Sequence, residues 1–210
     1  MLHLSDEFIL FDDMQYTRRD WRNRNVIKSP SRLTWLTIPV AVKGRYFQSI
    51  KETVVSDQSW NEWHWKTIVH CYSRAPCFAQ YKGLLEDLYL GTSETHLSLI
   101  NYRFLQALGA LLGINTKITW SMSYQLVGEK TERLVGLCEQ AQATEYLTGP
   151  AAKTYLDEDA FARRGIRVKY MDYSGYPEYG QLYPPFEPKV SILDLILNEG
   201  PNACKFMKSF

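Results

Sequence analysis

Residues 113–200 alternate between strand-like and helix-like segments, and this alternation constrains the fold more than any other feature of the chain. The predicted strands cover 117–120, 145–148 and 166–170, and the predicted helices cover 131–141, 157–164 and 191–198. Strands separated by single helices are typical of a parallel sheet, since each helix returns the chain to the starting edge. The sequence therefore predicts the α/β class, with a mostly parallel sheet flanked by helices in a Rossmann-like arrangement.

The first half of the chain adds strands and then a long helical stretch. The strands predicted there cover 8–11, 34–40 and 47–55, and residues 14–31 are predicted to be a long connection. From Ser59 to Leu112 apolar residues recur at spacings of three and four, which predicts a helical insertion. We expect the 210 residues to form a single α/β domain with a helical subdomain at about 59–112.

Composition and charge exclude several classes of function. The formal net charge is +1, and this balance excludes a general binder of nucleic acid polymers. The four cysteines are scattered without a CxxC pair, which disfavours a zinc site and suits a reducing compartment. No signal peptide opens the chain and no run of about twenty apolar residues occurs, so we expect a cytoplasmic protein without a membrane span. The sequence names no cofactor, and a homodimer is one option for the oligomeric state.

Residues 12–25, written DDMQYTRRDWRNRN, combine carboxylates, arginines, amides and aromatic rings. This mixture suits an anionic or polyhydroxylated ligand, and a structural network of Arg–Asp pairs is the alternative. If the segment is extended, its arginines and asparagines face opposite ways, so only one of the two sets faces the ligand. The expected ligand is an anionic small molecule, with nucleotide-linked molecules among the candidates. The predicted substrate-binding residues of this segment are Gln15, Tyr16, Arg22, Asn23, Arg24 and Asn25.

Further polar residues follow the predicted strands. In open parallel sheets ligands bind beyond the carboxyl ends of the strands, where loops and helix N-termini converge. Asp12 and Asp13 follow the first strand, and we predict a catalytic role in proton transfer for at least one of them. Segments 128–131 and 149–153 offer backbone donors and an amine to a phosphate, although neither is a Walker loop or a dinucleotide fingerprint. The other predicted ligand contacts are Ser121, Thr131, Gly149 and Lys153.

The helical stretch contributes three polar candidates. His64 falls between Trp60 and Ile68 on an apolar stripe, and it is either a core histidine satisfied by a hydrogen bond or a general base. Lys66 beside it is a candidate clamp for an anionic group. Asn101 lies on the buried face of the longest helix, so its amide either ties down a neighbouring loop or reaches a ligand.

A connection rich in tyrosine and proline runs from Asp172 to Pro188. Long loops of this kind are lids over a site or packed surface straps, and the aromatic content favours a lid. Asp172 itself follows a predicted strand, at the same edge of the sheet as the other polar residues.

Three mechanisms are compatible with these residues. Acid–base or transfer catalysis uses an aspartate after the first strand, with His64, for protons and the arginines as an electrostatic clamp. Magnesium-dependent catalysis has carboxylate ligands at hand, but no acidic triplet occurs at a recognisable spacing, so no metal site is predicted. Nucleophilic cysteine catalysis is disfavoured, because Cys71 and His70 are neighbours on a predicted helix and point to different sides.

The chain resembles the WbqC-like family of bacterial proteins, in register over nearly its whole length. The segments that carry the resemblance are DDMQYTRRDWRNRN, WLTIPV, WNEWHWKTIVHCYSRAPCF, GEKTERLVGLC, EYLTGPAAKTYLDEDAF, GIRVKYMDY and FEPKVSILDLILNEGP. Members of that family usually begin with a strand and a QPxxxPxxGY-like segment, and this sequence starts only a few residues before Phe8. If that segment supplies catalytic groups, the resemblance implies binding without catalysis, or a shifted chemistry, for this chain.

The WbqC-like family is associated with gene clusters for O-antigen, other surface polysaccharides and specialised metabolites. The resemblance therefore implies a transferase that moves a small acyl or aminoacyl group to an activated amino sugar or a similar amine. The alternative is a non-catalytic partner that positions a sugar nucleotide or a carrier-bound intermediate for another enzyme. A titratable group beside the arginines separates the two, because catalysis needs one and binding does not.

Overall fold

The structure is a computed structural model, and it describes residues 1–208 as strands, helices and connecting turns. Its strands are β1 (Glu7–Leu10), β2 (Arg24–Lys28), β3 (Leu33–Thr37), β4 (Lys117–Trp120), β5 (Glu145–Thr148) and β6 (Arg167–Tyr170). Its α-helices are α1 (Trp60–Tyr72), α2 (Phe78–Leu90), α3 (Leu97–Leu111), α4 (Lys130–Gln140), α5 (Glu158–Ala162) and α6 (Ile192–Glu199). Short 3-10 helices cover Leu2–Leu4, Ser121–Ser123, Pro150–Thr154 and Gly200–Phe206. Within these described residues, no helix has the length and apolarity that crossing a bilayer requires.

Hydrogen bonds join the strands in three pairs. β1 pairs with β4 and β5 pairs with β6, both in parallel, whereas β2 and β3 form an antiparallel hairpin. The hairpin arises because the connection of residues 29–32 is far shorter than the crossover that a parallel pair needs. Helices combined with small parallel sheets confirm the α/β class in its coarse form, and the described strands form two-stranded sheets rather than one continuous sheet.

The described residues group into two compact units. The first comprises residues 1–13 and 114–175, and the second comprises residues 14–113 and 176–208. Most of the second unit is therefore the stretch of chain between β1 and β4. Two compact units can belong to one domain, because a compact unit need not fold independently. The single α/β domain with a helical subdomain therefore stays a prediction.

The first unit has a small apolar core around β5, β6, α4 and α5. Phe161 of α5 is fully buried and stacks on Tyr146 of β5, with 4.9 Å between ring centroids. Val135 and Cys138 of α4 pack in the same cluster. This core holds β5 beside β6, so that the two strands end together in the pair of Thr148 with Tyr170.

The second unit holds the larger core, which packs α1, α2, α3 and α6 against the inner face of the β2–β3 hairpin. Helices α1 to α3 form where spacings of three and four predicted them, since apolar residues at that spacing share one face of a helix. The fully buried members of this core include Ile27, Ile68, Tyr72, Leu85, Leu97, Ile100 and Leu197.

A buried carboxylate fastens the loop before α6 to the second unit. Asp194 of α6 is 1% exposed and accepts hydrogen bonds from Tyr72 Oη at 2.7 Å and Tyr179 Oη at 2.8 Å. Gln181 Nε2 donates to the same carboxylate at 2.9 Å, and Lys28 Nζ donates to Gln181 Oε1 at 2.6 Å. The loop is thus attached to the interior by polar groups, and a lid function for it stays a prediction.

Residues 47–55 do not form the strand that their alternation predicts. The segment is a series of turns with single bridges, in which Ser49 meets Gln15 and Val55 meets Val40. Phe47 is 85% exposed. The alternation is present in the sequence, but among residues 1–208 each bridge joins one residue pair only, so no ladder of hydrogen bonds forms.

β2 lies inside the segment predicted to be a connection. Its burial pattern is not alternating, since Val26, Ile27 and Lys28 are buried in succession. Lys28 is buried because its amine reaches Gln181, while the neighbouring apolar residues face opposite sides of the hairpin. Three of the five residues of this strand are Arg24, Asn25 and Lys28, and these polar side chains hid the strand in the sequence.

Candidate ligand-binding site

Residues 17–24, which we call the arginine turn, form a tight turn that closes on itself. Thr17 Oγ1 donates to Asp20 Oδ2 at 2.8 Å, and Arg22 pairs with the same carboxylate. Arg24 Nη2 donates across the turn to the Arg19 carbonyl at 2.5 Å. Arg19 has a φ of +58°, in the left-handed region, which reverses the chain at this point. These bonds give the turn a shape that does not depend on a ligand.

Two other parts of the second unit hold the arginine turn. Asn23 Nδ2 donates to the Ile38 carbonyl at 2.9 Å, and the Ile38 amide donates to the Asn23 carbonyl at 2.7 Å. From α3, Asn101 Nδ2 donates to the Arg22 carbonyl at 2.9 Å. Asn101 thus ties down a neighbouring loop, which is one of the two roles that its sequence position allowed.

Adjacent residues of this segment carry buried polar atoms without a hydrogen-bond partner among residues 1–208. These atoms are Asn23 Oδ1 and Arg24 Nε. The Asn23 side chain belongs to a residue that is only 7% exposed. More than nine in ten buried polar atoms in native proteins are bonded, so two exceptions in succession distinguish this segment from an ordinary surface turn.

Aromatic rings accompany the arginine turn. The guanidinium of Arg24 lies 4.3 Å from the ring centroid of Trp35, in a cation–π contact. The ring of Trp21 lies 5.4 Å from that of Trp35, with the two planes tilted by 39°. Trp21 is 65% exposed and Trp35 is 43% exposed, so indole surface faces solvent beside the cations.

The remaining predicted residues of this segment take different positions. Gln15 Nε2 donates to the Tyr46 carbonyl at 2.8 Å. Tyr16 is buried, and burial raises the pKa of its phenol, with the charge of Asp20 as the second cause. Asn25 is exposed, and its Oδ1 accepts from the amide of Val26 at 2.8 Å. Asn23 therefore pins the turn while Arg22 stays at the surface, and Asn25 lies at the surface as well.

The loop of residues 41–48 borders the arginine turn. Arg18 Nη2 donates to the Val42 carbonyl at 3.1 Å. Gln48 Nε2 donates to the Ala41 carbonyl at 2.8 Å, while Gln48 Oε1 is buried and has no partner within residues 1–208. The residues that line an open depression here are Gly44, Arg45, Tyr46, Phe47, Gln48 and Glu52. The loop extends the basic and aromatic surface of the turn.

In the first unit, the carboxyl ends of β1 and β4 bring Asp13 and Ser121 together. Ser121 Oγ donates to Asp13 Oδ2 at 2.6 Å. The parallel register pairs Leu10 with Trp120, so the two strands end together; Ser121 follows β4 directly, and Asp13 is the third residue after β1. Asp12 is buried and Ser121 is fully buried. This pair places a carboxylate against a hydroxyl at the edge where ligands of parallel sheets bind.

The other predicted contacts of the first unit have separate partners. Thr131 Oγ1, at the start of α4, accepts from the Asp157 amide at 3.3 Å. Lys153 Nζ lies 4.9 Å from the ring centroid of Tyr170. Gly149 precedes a 3-10 helix and leaves its Cβ side free of close contacts. No group of three His, Cys, Asp or Glu side chains that could hold a metal ion occurs in the described part of the chain.

α1 places His64 in the core and Lys66 on the surface. His64 is 3% exposed, its Nε2 donates to the Thr37 carbonyl at 3.1 Å, and its ring meets Trp60 edge-on. Burial lowers the pKa of His64 to about 4, so the imidazole is neutral at pH 7. Lys66 pairs with Glu62 of the preceding helical turn at 3.1 Å. The hydrogen bond from His64 to Thr37 joins α1 to the end of β3. A role of His64 in proton transfer stays a prediction.

Three residues of this surface were not singled out by sequence reasoning. Trp21 lies among the arginines, Trp35 lies beside them on β3, and Gln48 lies on the bordering loop. Trp35 and Gln48 fall in segments that the sequence predicts to be strands, so neither suggested a ligand contact. The signal that could have found Trp21 is its position between Asp20 and Arg22, because a tryptophan flanked by charges rarely belongs to a core.

Comparison with known proteins covers almost all of these residues. The model of the WbqC-like protein family matches residues 1–206. The uncharacterized protein Rv1507c of Mycobacterium tuberculosis is 49% identical over 203 residues, which are 97% of this chain and 88% of that protein. No solved structure matches the chain significantly. Both the arginine turn and the Asp13–Ser121 pair lie within the family match.

Proposed function

The chain belongs to the WbqC-like protein family, and we propose that it binds an anionic, activated amino sugar or a similar amine on the arginine turn. In this proposal it transfers a small acyl or aminoacyl group to that amine, in the synthesis of a bacterial surface polysaccharide or a specialised metabolite. The observation that carries the proposal is the arginine turn, which is closed by its own hydrogen bonds and presents Arg22 and Arg24 beside exposed indoles.

Charge supports an anionic ligand. The arginine turn contains four arginines and one aspartate, whereas the whole chain has a net charge of only +1. Guanidinium groups bind phosphate and carboxylate with paired hydrogen bonds, which gives both strength and orientation. A small anion uses such a local excess, while a nucleic acid polymer would need a larger basic surface.

The rigidity of the turn supports binding as well. A loop that must be ordered by its ligand loses part of the interaction energy to that ordering. The arginine turn is held by Asn23, Asn101 and Arg24 through main-chain carbonyls, so the order is already present. The exposed side chains are then positioned before the ligand arrives.

The transfer step needs one proton acceptor. The amine attacks the carbonyl carbon of an activated ester or thioester donor and forms a C–N bond. The bond from that carbon to the donor's oxygen or sulfur breaks, the alcohol or thiol leaves, and the amine gives up a proton. Asp13, with Asp12 as the alternative, is the acceptor that the sequence predicts from its place after β1, and within the first unit Ser121 Oγ donates to the Asp13 carboxylate at 2.6 Å. The proposal treats β1 and β4 as part of a Rossmann-like arrangement, in which groups beyond the carboxyl ends do the chemistry. It also assigns the protein to the cytoplasm, where its four free cysteines stay reduced.

Thermal denaturation with a ligand panel tests the binding part. Sugar 1-phosphates and nucleoside diphosphate sugars are expected to raise the melting temperature of the chain, whereas the uncharged parent sugars are not, because only ligands that bind the folded state stabilise it. Arg22→Ala should weaken binding about 10- to 150-fold, which corresponds to the loss of one charged hydrogen bond. Arg24→Ala should weaken it at least as much, because it also removes the hydrogen bond to the Arg19 carbonyl. Arg164→Ala is the matched control, since Arg164 is an exposed arginine paired with Glu139 in the first unit. Equal losses in all three variants would contradict the proposed site.

Product analysis tests the chemical part. Mass spectrometry of the pathway product from cells that carry Asp13→Asn should show loss of the acyl group, because the amide cannot accept the proton. Asp159→Asn, an exposed aspartate of α5, is the control and should leave the product intact. If both Asp12→Asn and Asp13→Asn leave the product unchanged while Arg22→Ala abolishes it, transfer by this chain is excluded.

One observation favours the second candidate function, a non-catalytic partner that positions a sugar nucleotide or a carrier-bound intermediate. His64, the titratable group expected near the arginines, is buried and neutral, with its Nε2 bonded to Thr37. A binding module needs only the arginines and the rings. The same Asp13→Asn and Arg22→Ala comparison separates the two functions.

A further inference from the structure

Trp21 is an unusual surface residue because nothing in the apolar interior accounts for it. It is 65% exposed, and its indole contacts the ring of Trp35, which is itself partly exposed. Tryptophan is among the side chains with the most apolar area to bury, so an exposed pair of indoles forgoes favourable burial. An exposed indole at a fixed position is consistent with a surface that becomes covered when a ligand binds.

The position of Trp21 is fixed by the arginine turn. Its amide donates to Asp20 Oδ1 at 2.6 Å, and the other carboxylate oxygen of Asp20 accepts from Thr17 and Arg22. The carbonyl of the next residue, Arg22, is held by Asn101 from α3. The backbone on both sides of Trp21 is therefore anchored, so the indole stays at the surface next to the arginines.

The planar groups at this place already form a series of contacts. The Arg24 guanidinium lies 4.3 Å from the centroid of Trp35, and Trp35 lies 5.4 Å from Trp21. Trp21 is the more exposed member, and a further planar group on its open face would continue the series. Offset or tilted aromatic pairs with centroids 4.5–7 Å apart are favourable, and nucleobases stack on exposed aromatic side chains in this way.

The neighbours of Trp21 match the rest of a nucleotide. Arg22 follows it directly and Arg19 precedes it by two residues, so cations flank the indole in the sequence. A nucleotide likewise joins a flat, uncharged base to phosphates through a sugar. A sugar phosphate would contact the arginines and leave the indole of Trp21 exposed to solvent. A nucleotide would contact the arginines through its phosphates and the indole through its base.

We propose that Trp21 receives the nucleobase of a nucleoside diphosphate whose phosphates bind to the arginines of the arginine turn. This inference rests on the proposed function, because it names the activating group of the anionic ligand. It assigns the diphosphate to Arg22 and its neighbours and the base to the open face of Trp21. The structure gives no contact that would select among bases, so uridine, guanosine and adenosine diphosphates are all suitable probes.

Titration of the whole chain with uridine diphosphate, guanosine diphosphate, adenosine diphosphate and inorganic pyrophosphate, at one fixed salt concentration, tests this assignment. At least one nucleoside diphosphate is expected to bind about tenfold or more tightly than pyrophosphate, the gain that base stacking on an aromatic ring provides. Trp21→Ala should bring the affinity for that nucleotide to the level of pyrophosphate, and Trp21→Phe should keep most of it. Bound nucleotide should quench tryptophan fluorescence in the wild type and do so less in Trp21→Phe.

Trp63→Ala is the matched control, since Trp63 is a 53% exposed tryptophan of the same unit, on α1. It should leave the affinity for the nucleotide unchanged. Equal affinity of the wild type for pyrophosphate and for every nucleoside diphosphate overturns the inference and leaves the proposed function standing. An equal effect of Trp63→Ala and Trp21→Ala also overturns it, and if sugar phosphates and pyrophosphate fail to bind as well, the proposed function falls with it. Circular dichroism and the melting temperature without ligand establish that each variant is folded.

Discussion

Asn23 and Ile38 exchange two hydrogen bonds, one from the Asn23 side chain to the Ile38 carbonyl and one from the Ile38 amide to the Asn23 carbonyl. The exchange extends the β2–β3 hairpin beyond the pair of Arg24 with Thr37. It also holds the end of the arginine turn against the hairpin. The residue that fixes the turn is therefore a buried asparagine, next to Arg22, which is exposed.

Asn23→Asp is expected to destabilise the fold by about 3 kcal/mol, because a carboxylate would meet the Ile38 carbonyl without a donor and would be buried without a counter-charge. Urea denaturation at pH 7.5 measures the free energy of unfolding. Asn202→Asp, an exposed asparagine of the same unit, is the control and should change stability by less than about 0.5 kcal/mol. If Asn23→Asp lost as little stability as the control, the Asn23 amide would not be needed for the stability of the fold.

Asp194→Ala is expected to cost about 3–5 kcal/mol of stability, because it leaves Tyr72, Tyr179 and Gln181 without their common acceptor in the interior. Hydrogen exchange at the Leu182 amide, which donates to Asn198 Oδ1, should increase along with global unfolding. Asp87→Ala removes an exposed aspartate of α2 and should have little effect. If both variants lose the same stability, the buried carboxylate does not organise this loop.

His64 is expected to make the fold less stable in acid. Burial lowers the pKa of its imidazole from 6.5 to about 4, so the unfolded chain binds a proton more readily than the folded chain does. The buried neutral ring contributes fully to the free energy of unfolding above pH 6.5, and this contribution is lost as the pH falls from 6.5 towards 4. Over that window the loss amounts to about 3 kcal/mol.

His64→Gln isolates this effect, because glutamine keeps a donor towards the Thr37 carbonyl and does not titrate. Urea denaturation of both proteins at pH 7.5, 6, 5 and 4.5 gives the difference in unfolding free energy at each pH. The wild type should lose stability faster than the variant below pH 6.5. Parallel curves for the two proteins would mean that His64 is protonated in the folded state as easily as in the unfolded chain.

Cys138 is expected to resist alkylation, since burial raises the pKa of its thiol to about 11 and the thiolate is the reactive form. Iodoacetamide at pH 8 followed by peptide mass spectrometry should modify Cys138 more slowly than the partly exposed Cys77 and Cys204. In urea the three thiols should react at similar rates. Fast modification of Cys138 in the folded protein would place α4 outside the core of the first unit.

The helices were predictable because their information is local. Residues 60–111 carry apolar side chains at spacings of three and four, and a helix is the regular structure that puts such residues on one face. The parallel pairs of the first unit were predictable for a related reason, since short apolar runs alternate with helical segments there. Which strand would pair with which was not available from the pattern, and one continuous sheet was expected where the described strands form pairs.

The positions of polar side chains were less predictable because they depend on distant partners. Lys28 is buried because Gln181 and the Pro185 carbonyl accept from its amine, and Asn101 reaches the Arg22 carbonyl across a separation of 79 residues in the chain. His64 shows the same limit, since the stripe on which it lies allowed both a core position and a catalytic one. The arginines and asparagines of residues 18–25 were recognisable from the sequence, and the charged neighbours of Trp21 were the only local sign that its indole would be exposed.

Asn101 and Arg24 hold the arginine turn by donating to main-chain carbonyls, those of Arg22 and Arg19, and not to side chains. Substitution of the side chains at 18 and 21 leaves those carbonyls and the Arg22–Asp20 pair in place, so the turn can keep its shape while its chemistry changes. Ligand preference in this protein is therefore open to change, by natural drift or by design, without a matching change in the scaffold. Directed evolution of a new specificity should begin at these two positions and leave Arg22, Asn23, Arg24 and Asn101 untouched.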